Sequence, residues 1–357
     1  MKKKTIITVL ILFITIFLII FCIFNISKNI NLNNELEDTI VNKENETIEE
    51  KIDETENVEK NNFVSYNGWL RIENNILVNE NGEPFRLKGI STHGLQWYSK
   101  FANKEMMKSL KENLDINLFR IAMYTEENGY ISNYSLINKV EEIVEYAKEL
   151  DMYVIIDWHI LSDGDPLKHK EEAKIFFEKM SQKYKNYPNV IYEICNEPNG
   201  NVTWEGNIKP YAEEVISVIR KNSKDGIIIV GTPTWSQEVD KPANNKIIDK
   251  NTMYALHFYS ASHGEWLRER TTEALKSIPI FVSEWGVSDV SGNGIIDKEE
   301  TLKWVEFMNN NNLSYAVWSL SDKNESSALL IPGASINNFN DDNLSEAGKL
   351  IKDLINK

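Results

Sequence analysis

The amino-acid sequence predicts a (β/α)8 TIM barrel in residues 63–357, and three observations support this fold class. Amphipathic helical patterns with apolar residues at three- and four-residue spacing, as at residues 136–150, separate most of a series of strand-like segments. The region is just under 300 residues long, which suits one barrel. The strand-like segments are eight short runs rich in apolar and β-branched residues, at 85–92, 117–123, 152–158, 190–195, 227–231, 253–259, 278–285 and 314–320.

The N-terminal segment, residues 1–26, is predicted to meet the membrane. Residues 5–24 carry no charge and as a helix would span about 30 Å, enough to cross the hydrocarbon core. A cleaved signal peptide usually has a shorter apolar stretch of about 7–15 residues that ends at small residues, so this run favours an uncleaved signal anchor over a signal peptide. The lysines before it place the rest of the chain outside. The expected location is the extracellular face, membrane-anchored or secreted.

Residues 27–62 are predicted to be an acidic disordered linker. They are rich in Asn, Glu and Lys and lack aromatic residues, so they cannot bury enough apolar surface to offset the entropy of ordering. The whole chain has a net charge of −15 at pH 7 and no basic stripe, which argues against nucleic acid and anionic lipid as partners. We therefore expect residues 63–357 to be a monomeric catalytic barrel that acts on a neutral polymer.

A β-hairpin is predicted before the first barrel strand. Residues 70–85 partly alternate polar and apolar around Asn81-Gly82, a dipeptide typical of tight hairpin turns. Such a hairpin would close the floor of the barrel. The sequence contains no internal repeat, and no second globular module follows the barrel.

Two glutamates indicate the chemistry. Glu197 and Glu284 each end an apolar run, and in a parallel barrel such residues lie at the catalytic mouth. Paired carboxylates suit hydrolysis of glycosidic bonds, because one protonates the leaving oxygen while the other attacks the sugar or activates water. Charges at the ends of buried strands are costly without a role. The same mouth is predicted to hold His93, Trp97, Arg120, Tyr124, His159, Asn196, Trp235, His257, Tyr259 and Trp318.

The sequence gives little reason to expect a metal or a reactive thiol. Cys195 lies within an apolar strand, where a cysteine is expected to be packed and inert. Residues 289–300 fit much of an EF-hand calcium loop, with Asp289 first and Glu300 twelfth. A predicted strand rather than a helix precedes this loop, so the alternative to a structural Ca²⁺ site is an acidic surface turn. No other metal site and no cofactor are expected.

Short motifs recur at most of the predicted strand ends. They are GISTHGLQW at 89–97, DWHILSDGDP at 157–166, NEP at 196–198, EWG at 284–286, and Trp318 followed by KNESS at 323–327. In this order they resemble glycoside hydrolase family 5, specifically its bacterial endoglucanase branch. The resemblance covers about residues 63–357.

The resemblance implies a retaining endo-β-1,4-glucanase that cuts internal bonds of cellulose or related β-glucans by double displacement. Glu197 would be the general acid/base and Glu284 the nucleophile. Arg120 and Tyr259 would bond Glu284, Asn196 would bond the sugar 2-hydroxyl, and His257 would bond Glu197. Trp97, Lys323 and Glu325 would bind glucose units on the non-reducing side and Trp235 the leaving side. The other implied sugar-binding residues are His93, Tyr124, His159 and Trp318.

Two alternatives stay open at this point. The first is a β-mannanase or broad-specificity β-glucanase, because loops of this fold change specificity without changing the barrel. The second is a surface carbohydrate-binding protein that uses the aromatic cleft without turnover. Cellulose, mixed-linkage glucan, xyloglucan and mannan are all candidate substrates.

Overall fold

A closed barrel of eight parallel strands forms the centre of the computed structural model, which describes residues 63–355. A short antiparallel hairpin of two strands precedes the barrel. In chain order the strands are β1 (Arg71–Glu73), β2 (Ile76–Val78), β3 (Lys88–Thr92), β4 (Leu118–Tyr124), β5 (Tyr153–His159), β6 (Val190–Glu193), β7 (Ile228–Val230), β8 (Thr252–Tyr259), β9 (Ile280–Gly286) and β10 (Tyr315–Leu320). β10 pairs back with β3, so the predicted fold class is confirmed.

Helices follow the strands and cover the outside of the barrel with their apolar faces. In the helix Leu136–Glu149, for example, Val140, Val144 and Ala147 are buried at three- and four-residue spacing. In chain order the α-helices are α1 (Val64–Asn67), α2 (Leu95–Tyr98), α3 (Lys104–Leu114), α4 (Leu136–Glu149), α5 (Lys170–Lys183), α6 (Lys209–Asn222), α7 (Pro233–Ser236), α8 (Asp240–Asn244), α9 (Glu265–Leu275), α10 (Lys298–Asn310) and α11 (Glu346–Ile355).

The predicted hairpin is present, but its tight turn does not lie at Asn81-Gly82, where the sequence pattern predicts it. β1 and β2 are joined through Asn74 and Asn75, which both have positive φ. Asparagine tolerates this left-handed conformation and therefore suits such turns. Asn81-Gly82 makes a second reversal, closed by a single bridge between Val78 and Pro84. The hairpin still closes the barrel floor.

The core of the barrel floor is apolar. Leu77 of the hairpin and Phe85 after it pack in one cluster with Leu118, Tyr153 and Ile155 of the barrel strands. Burial of these side chains ties the hairpin to the barrel by the hydrophobic effect. The end of the barrel where the strands begin is therefore apolar, and the polar residues of the strands lie at the opposite end.

The membrane prediction falls outside what the structure describes. The predicted anchor at 1–26 and linker at 27–62 precede the described residues. Within 63–355, no helix combines the length and the hydropathy that crossing a bilayer requires.

Candidate active site

A cleft of about 660 Å³ opens at the carboxyl end of the barrel strands. Ligand sites in this fold lie at that end, because the strand ends and the following loops meet there. The cleft brings together twelve of the fourteen predicted site residues. They are His93, Trp97, Tyr124, His159, Glu197, Trp235, His257, Tyr259, Glu284, Trp318, Lys323 and Glu325.

The remaining two predicted residues, Arg120 and Asn196, lie in the buried layer around this cleft. Neither has any exposed surface. The parallel register brings the polar residues of neighbouring strands side by side, with Arg120 opposite Ser91 and His257 opposite Glu284. A continuous polar layer therefore connects the barrel interior to the cleft.

Glu284 is held by two donors. Its Oε1 accepts a hydrogen bond of 2.8 Å from the Tyr259 hydroxyl, and its Oε2 accepts one of 3.1 Å from Nη1 of Arg120. Burial, followed by the charges of nearby carboxylates, raises the pKa of Tyr259 well above its ordinary value, so this hydroxyl stays a donor. The predicted contacts of Arg120 and Tyr259 with Glu284 are present.

Glu197 lies beside Glu284 in a different environment. Its Oε1 is 3.0 Å from Nδ1 of His257, as predicted. Burial raises the pKa of Glu197; the His257 bond opposes this rise and the charge of Glu284 adds to it. One oxygen of each glutamate and a ring nitrogen of His257 lie within 4.8 Å of one another. The two close carboxyls thus have different partners, a histidine ring for Glu197 and a guanidinium with a tyrosine hydroxyl for Glu284, which suits an acid and a nucleophile.

Arg120 is the cation at the centre of the polar layer. Its guanidinium donates to Glu193 at 2.7 Å and lies 3.0 Å from Asp157, in addition to its contact with Glu284. Burial alone would lower the pKa of Arg120, but Asp157, Glu193 and Glu284 outweigh it and raise the pKa. One permanent positive charge therefore compensates three buried carboxyl groups.

We expect the Arg120→Met substitution to destabilise the protein by about 3–5 kcal/mol, because it leaves several buried carboxyls without their cation. Arg120 is the main reason that the pKa of Glu193 is lowered, against burial, from 4.5 to about 2. Since the folded-state pKa is depressed, this stabilisation is present above pH 4.5 and is lost as the pH falls toward 2. Urea unfolding at pH 7 and pH 4 should therefore show a smaller deficit at pH 4.

A matched control for this experiment is Arg220→Met. Arg220 makes two bonds of 2.7 Å with a single carboxylate, Asp249, and donates to the carbonyls of Ser223 and Gly226, at a partly exposed site. Its removal leaves one carboxylate near water, so the loss should be smaller. Equal losses in the two variants would contradict the central role of Arg120.

Asn196 has a fixed orientation. Its Oδ1 accepts from Arg120 at 2.7 Å, and its Nδ2 donates to the carbonyl of Ile160 at 3.1 Å and toward Nε2 of His159 at 3.3 Å. Because Nδ2 only donates, Nε2 of His159 accepts and the ring proton lies on Nδ1, 2.6 Å from Asp157. Burial, then Arg120, lowers the pKa of His159 to about 3, so the ring is neutral. The contact of Asn196 with a sugar hydroxyl stays a prediction.

One wall of the cleft is aromatic. The Trp318 ring lies 5.0 Å from the ring of His93 and 5.4 Å from that of His159, measured between centroids. Trp97, 43% exposed, meets Tyr124 edge-on at 5.1 Å. Flat aromatic faces of this kind match the apolar faces of pyranose rings. The structure therefore groups the aromatic residues that were predicted to bind sugar.

Charged residues border the same wall. Nζ of Lys323 lies 2.6 Å from Oε2 of Glu325, and Nε2 of His93 lies 3.9 Å from Oε1 of Glu325. Burial, then Lys323, lowers the pKa of His93 to about 3, so this ring is neutral; its Nδ1 accepts from the Gly94 amide at 2.7 Å, which places the ring proton on Nε2. Lys323 and Glu325 offer donors and acceptors to hydroxyl edges of a sugar.

Trp235 is presented to the cleft by strained backbone. Thr234, Trp235 and Ser236 all have positive φ, a conformation that costs about 1–3 kcal/mol per non-glycine residue. The Trp235 amide donates to the carbonyl of Pro198, and the Ser236 hydroxyl donates to that of Asn196. These bonds fix the loop to the segment after β6 that carries Glu197 and leave Trp235 44% exposed.

Several residues that form the site were not predicted from the sequence. Glu193 is a fully buried charge inside an apolar strand, which is a signal that could have identified it. Ser283 gives no such signal, because serine is common in strands of any kind. Other cleft-lining residues that were not predicted are Glu127, Leu161, Thr234, Gln237, His263 and residues 290–292.

The calcium interpretation of residues 289–300 is not supported by the structure. The Asp289 carboxylate accepts from the Ser291 amide, and Asp297 caps α10 by accepting from the Glu300 amide. The Glu300 carboxylate pairs with Arg268 and Lys303 instead of turning toward the loop. Among residues 63–355, the one acidic and histidine group close enough to hold a metal is Glu197, His257 and Glu284. The alternative of an acidic surface turn fits these contacts.

We expect a calcium chelator to leave the thermal unfolding midpoint unchanged. Asp289, Asp297 and Glu300 already accept from amides or pair with cations, so removal of free Ca²⁺ takes nothing from the folded state. Differential scanning calorimetry with EGTA, and again with added CaCl₂, measures this. A midpoint that falls with EGTA and recovers with CaCl₂ would restore the EF-hand interpretation.

An eight-stranded barrel with two close glutamates at its mouth, each held by different partners, defines the class of (β/α)8 glycoside hydrolases. The family model for cellulase (glycosyl hydrolase family 5) matches residues 78–324. The chain belongs to this family, which confirms the resemblance found in the motifs.

Individual relatives agree with this assignment. Endoglucanase 5 of Pectobacterium carotovorum subsp. carotovorum is 53% identical over 294 residues, and Endoglucanase N of Pectobacterium atrosepticum is 52% identical over the same length. Each alignment covers 82% of this chain, and 58% and 66% of the two relatives. The chain thus spans about three fifths of the length of these curated relatives.

Solved structures also match. The catalytic domain of the Thermobifida fusca endoglucanase Cel5A, determined in complex with cellotetraose, has a TM-score of 0.80 and 34% sequence identity. The match covers 82% of this chain and 99% of that domain. The region that matches a catalytic domain is therefore the part that contains the cleft.

Proposed function

We propose that this protein is a retaining endo-β-1,4-glucanase that hydrolyses internal bonds of cellulose or a related β-glucan by double displacement. The arrangement of Glu197 and Glu284 carries the proposal, because oxygens of the two carboxyls approach within 4.8 Å. Retaining enzymes have carboxyls about 5–5.5 Å apart, whereas inverting enzymes need about 6.5–9.5 Å to admit a water. The spacing therefore favours direct attack by one carboxylate.

In the first step, the Glu284 carboxylate attacks the anomeric carbon while Glu197 donates its proton to the leaving oxygen. Arg120 and Tyr259 each donate a hydrogen bond to one oxygen of Glu284 and so hold its carboxylate in a fixed orientation toward the cleft. Burial keeps the pKa of Glu197 raised, so the proton is available where it is needed. The glycosidic bond breaks and a glycosyl ester on Glu284 forms.

In the second step, the Glu197 carboxylate takes a proton from water, and the water oxygen attacks the anomeric carbon from which Glu284 departs. Two inversions give net retention. During both steps the aromatic wall around Trp318 would hold the sugar ring at the glutamates by stacking. Trp97 and Trp235, both partly exposed, would hold further glucose units of the chain.

The test uses the purified full chain on carboxymethylcellulose and galactomannan in parallel, with reducing ends and viscosity followed over time. An endoglucanase lowers the viscosity of carboxymethylcellulose quickly relative to the reducing ends it releases. Activity mainly on galactomannan would replace the proposal by a β-mannanase. Binding to cellulose without reducing ends would indicate a carbohydrate-binding protein. A Glu284→Gln preparation, purified identically, controls for contaminating hydrolases.

We further propose that the enzyme acts on the extracellular face, either anchored through residues 1–26 or secreted. The uncharged run at 5–24 after three lysines supports this location. Fractionation of the producing cells tests it: activity that stays with membranes and is released by external protease supports an anchored form. Activity free in the medium supports secretion, and activity in the cytosol alone would contradict both.

A further inference from the structure

A second buried glutamate is connected to the proposed acid/base by an unbroken chain of hydrogen bonds. Oε1 of Glu193 accepts from the Ser283 hydroxyl at 2.6 Å, and this hydroxyl lies 2.9 Å from Nε2 of His257. On the other side of the ring, Nδ1 of His257 lies 3.0 Å from Oε1 of Glu197. Glu193, Ser283 and His257 are each at most 1% exposed.

The direction of these bonds fixes one proton on His257. Glu193 is ionised, because Arg120, against the effect of burial, lowers its pKa to about 2. An ionised carboxylate only accepts, so the single hydroxyl proton of Ser283 points to Glu193. The Ser283 oxygen can then only accept from the ring, and Nε2 of His257 must carry a proton.

We propose that Glu193 is a positioning residue for the acid–base step: through Ser283 it keeps Nε2 of His257 protonated and so directs Nδ1 to Oε1 of Glu197. With Nδ1 also protonated and donating to Oε1, the transferable proton of Glu197 is confined to Oε2. This inference rests on the role of Glu197 in the proposed function. No group of the Glu193 chain touches the substrate in this scheme.

The charges around His257 favour the doubly protonated ring. Burial opposes the charge, but the bonds to Glu193 and Glu197, with Glu284 beyond them, raise the pKa of His257 to about 9. The groups that face this region are Arg120 on β4, Asp157 and His159 on β5, Glu193 on β6 with Glu197 after it, Tyr259 on β8 and Glu284 on β9; β7 contributes no titratable side chain.

The proton balance of the reaction is unchanged by this arrangement. Glu197 gives its own proton to the leaving oxygen and later regains one from water, while His257 keeps both ring protons throughout. In the interval, the imidazolium beside Glu197 stabilises the newly formed carboxylate. Glu193 therefore would act twice on Glu197, by locating its proton and by keeping a cation next to it.

The direct test is histidine NMR on the full chain without substrate, comparing the wild type with Ser283→Ala and Ser283→Thr. The chain has five histidines, and a His257→Gln spectrum assigns the signal of interest. Ser283→Ala removes the hydroxyl bridge and leaves only the 3.7 Å approach of Nε2 of His257 to Oε1 of Glu193, so we expect the pKa of His257 to fall from about 9 by about one unit. Ser283→Thr retains the hydroxyl and should restore it.

Ser91→Ala is the matched control. Ser91 is a fully buried serine that accepts from Nη1 of Arg120 at 3.2 Å and donates to the carbonyl of Thr92 at 2.9 Å, on the side of Arg120 away from Glu193. It removes a buried hydroxyl from the same polar layer without cutting the Glu193 chain. We expect the titration of His257 to be unchanged in this variant, so a fall there equal to that in Ser283→Ala would overturn the proposal.

Kinetics give the second measurement. In Ser283→Ala the less fully protonated His257 lowers the pKa of Glu197 by less, so the basic limb of the kcat/KM profile should move to higher pH while kcat falls. A His257 titration and a basic limb that both match the wild type would overturn the inference about Glu193. Since the NMR titration needs no turnover, that result is distinguishable from failure of the proposed glucanase activity.

Discussion

Replacement of Glu284 by alanine is expected to abolish turnover while the barrel stays folded. Loss of a nucleophile that forms a covalent intermediate costs on the order of 10⁴–10⁶ in kcat, or about 5–8 kcal/mol of transition-state stabilisation. Glu284 is 4% exposed and is held by Arg120 and Tyr259. The variant leaves a small space beside Arg120 and Tyr259, on the side from which the proposed mechanism has Glu284 attack the anomeric carbon.

That space allows a sharper test than loss of activity. A small anionic nucleophile such as azide should enter it, pair with Arg120 and attack the sugar with one inversion instead of two. Glu284→Ala with azide and an aryl β-cellobioside is therefore expected to release an α-glycosyl azide. Product analysis by NMR identifies the anomeric configuration. Recovery of a β-product would show that Glu284 is not the nucleophile.

The control for Glu284→Ala removes a carboxylate from outside the cleft. Glu300 of α10 pairs with Arg268 and Lys303 and does not line the cleft. Glu300→Ala is expected to lower stability modestly and to leave kcat near the wild-type value. If the two variants lost turnover equally, the loss in Glu284→Ala would have to be assigned to folding.

Much of the fold could be predicted because its signals are local. Each barrel strand is a run of residues buried on both faces, such as Ile155 and Val230, and these runs stand out between amphipathic helices. The position of Glu197 and Glu284 in the cleft could be predicted for the same reason, since a charge at the end of such a run is costly unless it has a role.

Other features depend on contacts between distant residues and left little local signal. The turn of the first hairpin could lie at Asn74-Asn75 or at Asn81-Gly82, because both dipeptides accept positive φ. The positive φ angles that expose Trp235 in the cleft are held by bonds from Trp235 and Ser236 to Pro198 and Asn196, about forty residues earlier. The role of Ser283 depends on Glu193, 90 residues away, and no spacing rule connects them.

Replacement of Glu197 by glutamine is expected to produce a loss that depends on the leaving group. Glutamine keeps the size of the side chain and a partner for His257, but it has no acidic proton to give. Departure of a glucose hydroxyl needs that proton, and general acid catalysis of this kind contributes about 10²–10⁴-fold. Hydrolysis of β-glucan should therefore fall by roughly that factor.

A substrate with an acidic leaving group separates this role from a structural one. Dinitrophenolate leaves without a proton, so the first step on 2,4-dinitrophenyl β-cellobioside should stay near the wild-type rate in Glu197→Gln. The second step still lacks its base, so the glycosyl ester on Glu284 should accumulate and the release of dinitrophenol should show a burst. Stopped-flow absorbance measures the burst, and intact-protein mass spectrometry detects the ester. An equal loss on both substrates without a burst would contradict proton donation by Glu197, because a misplaced nucleophile would slow both substrates alike.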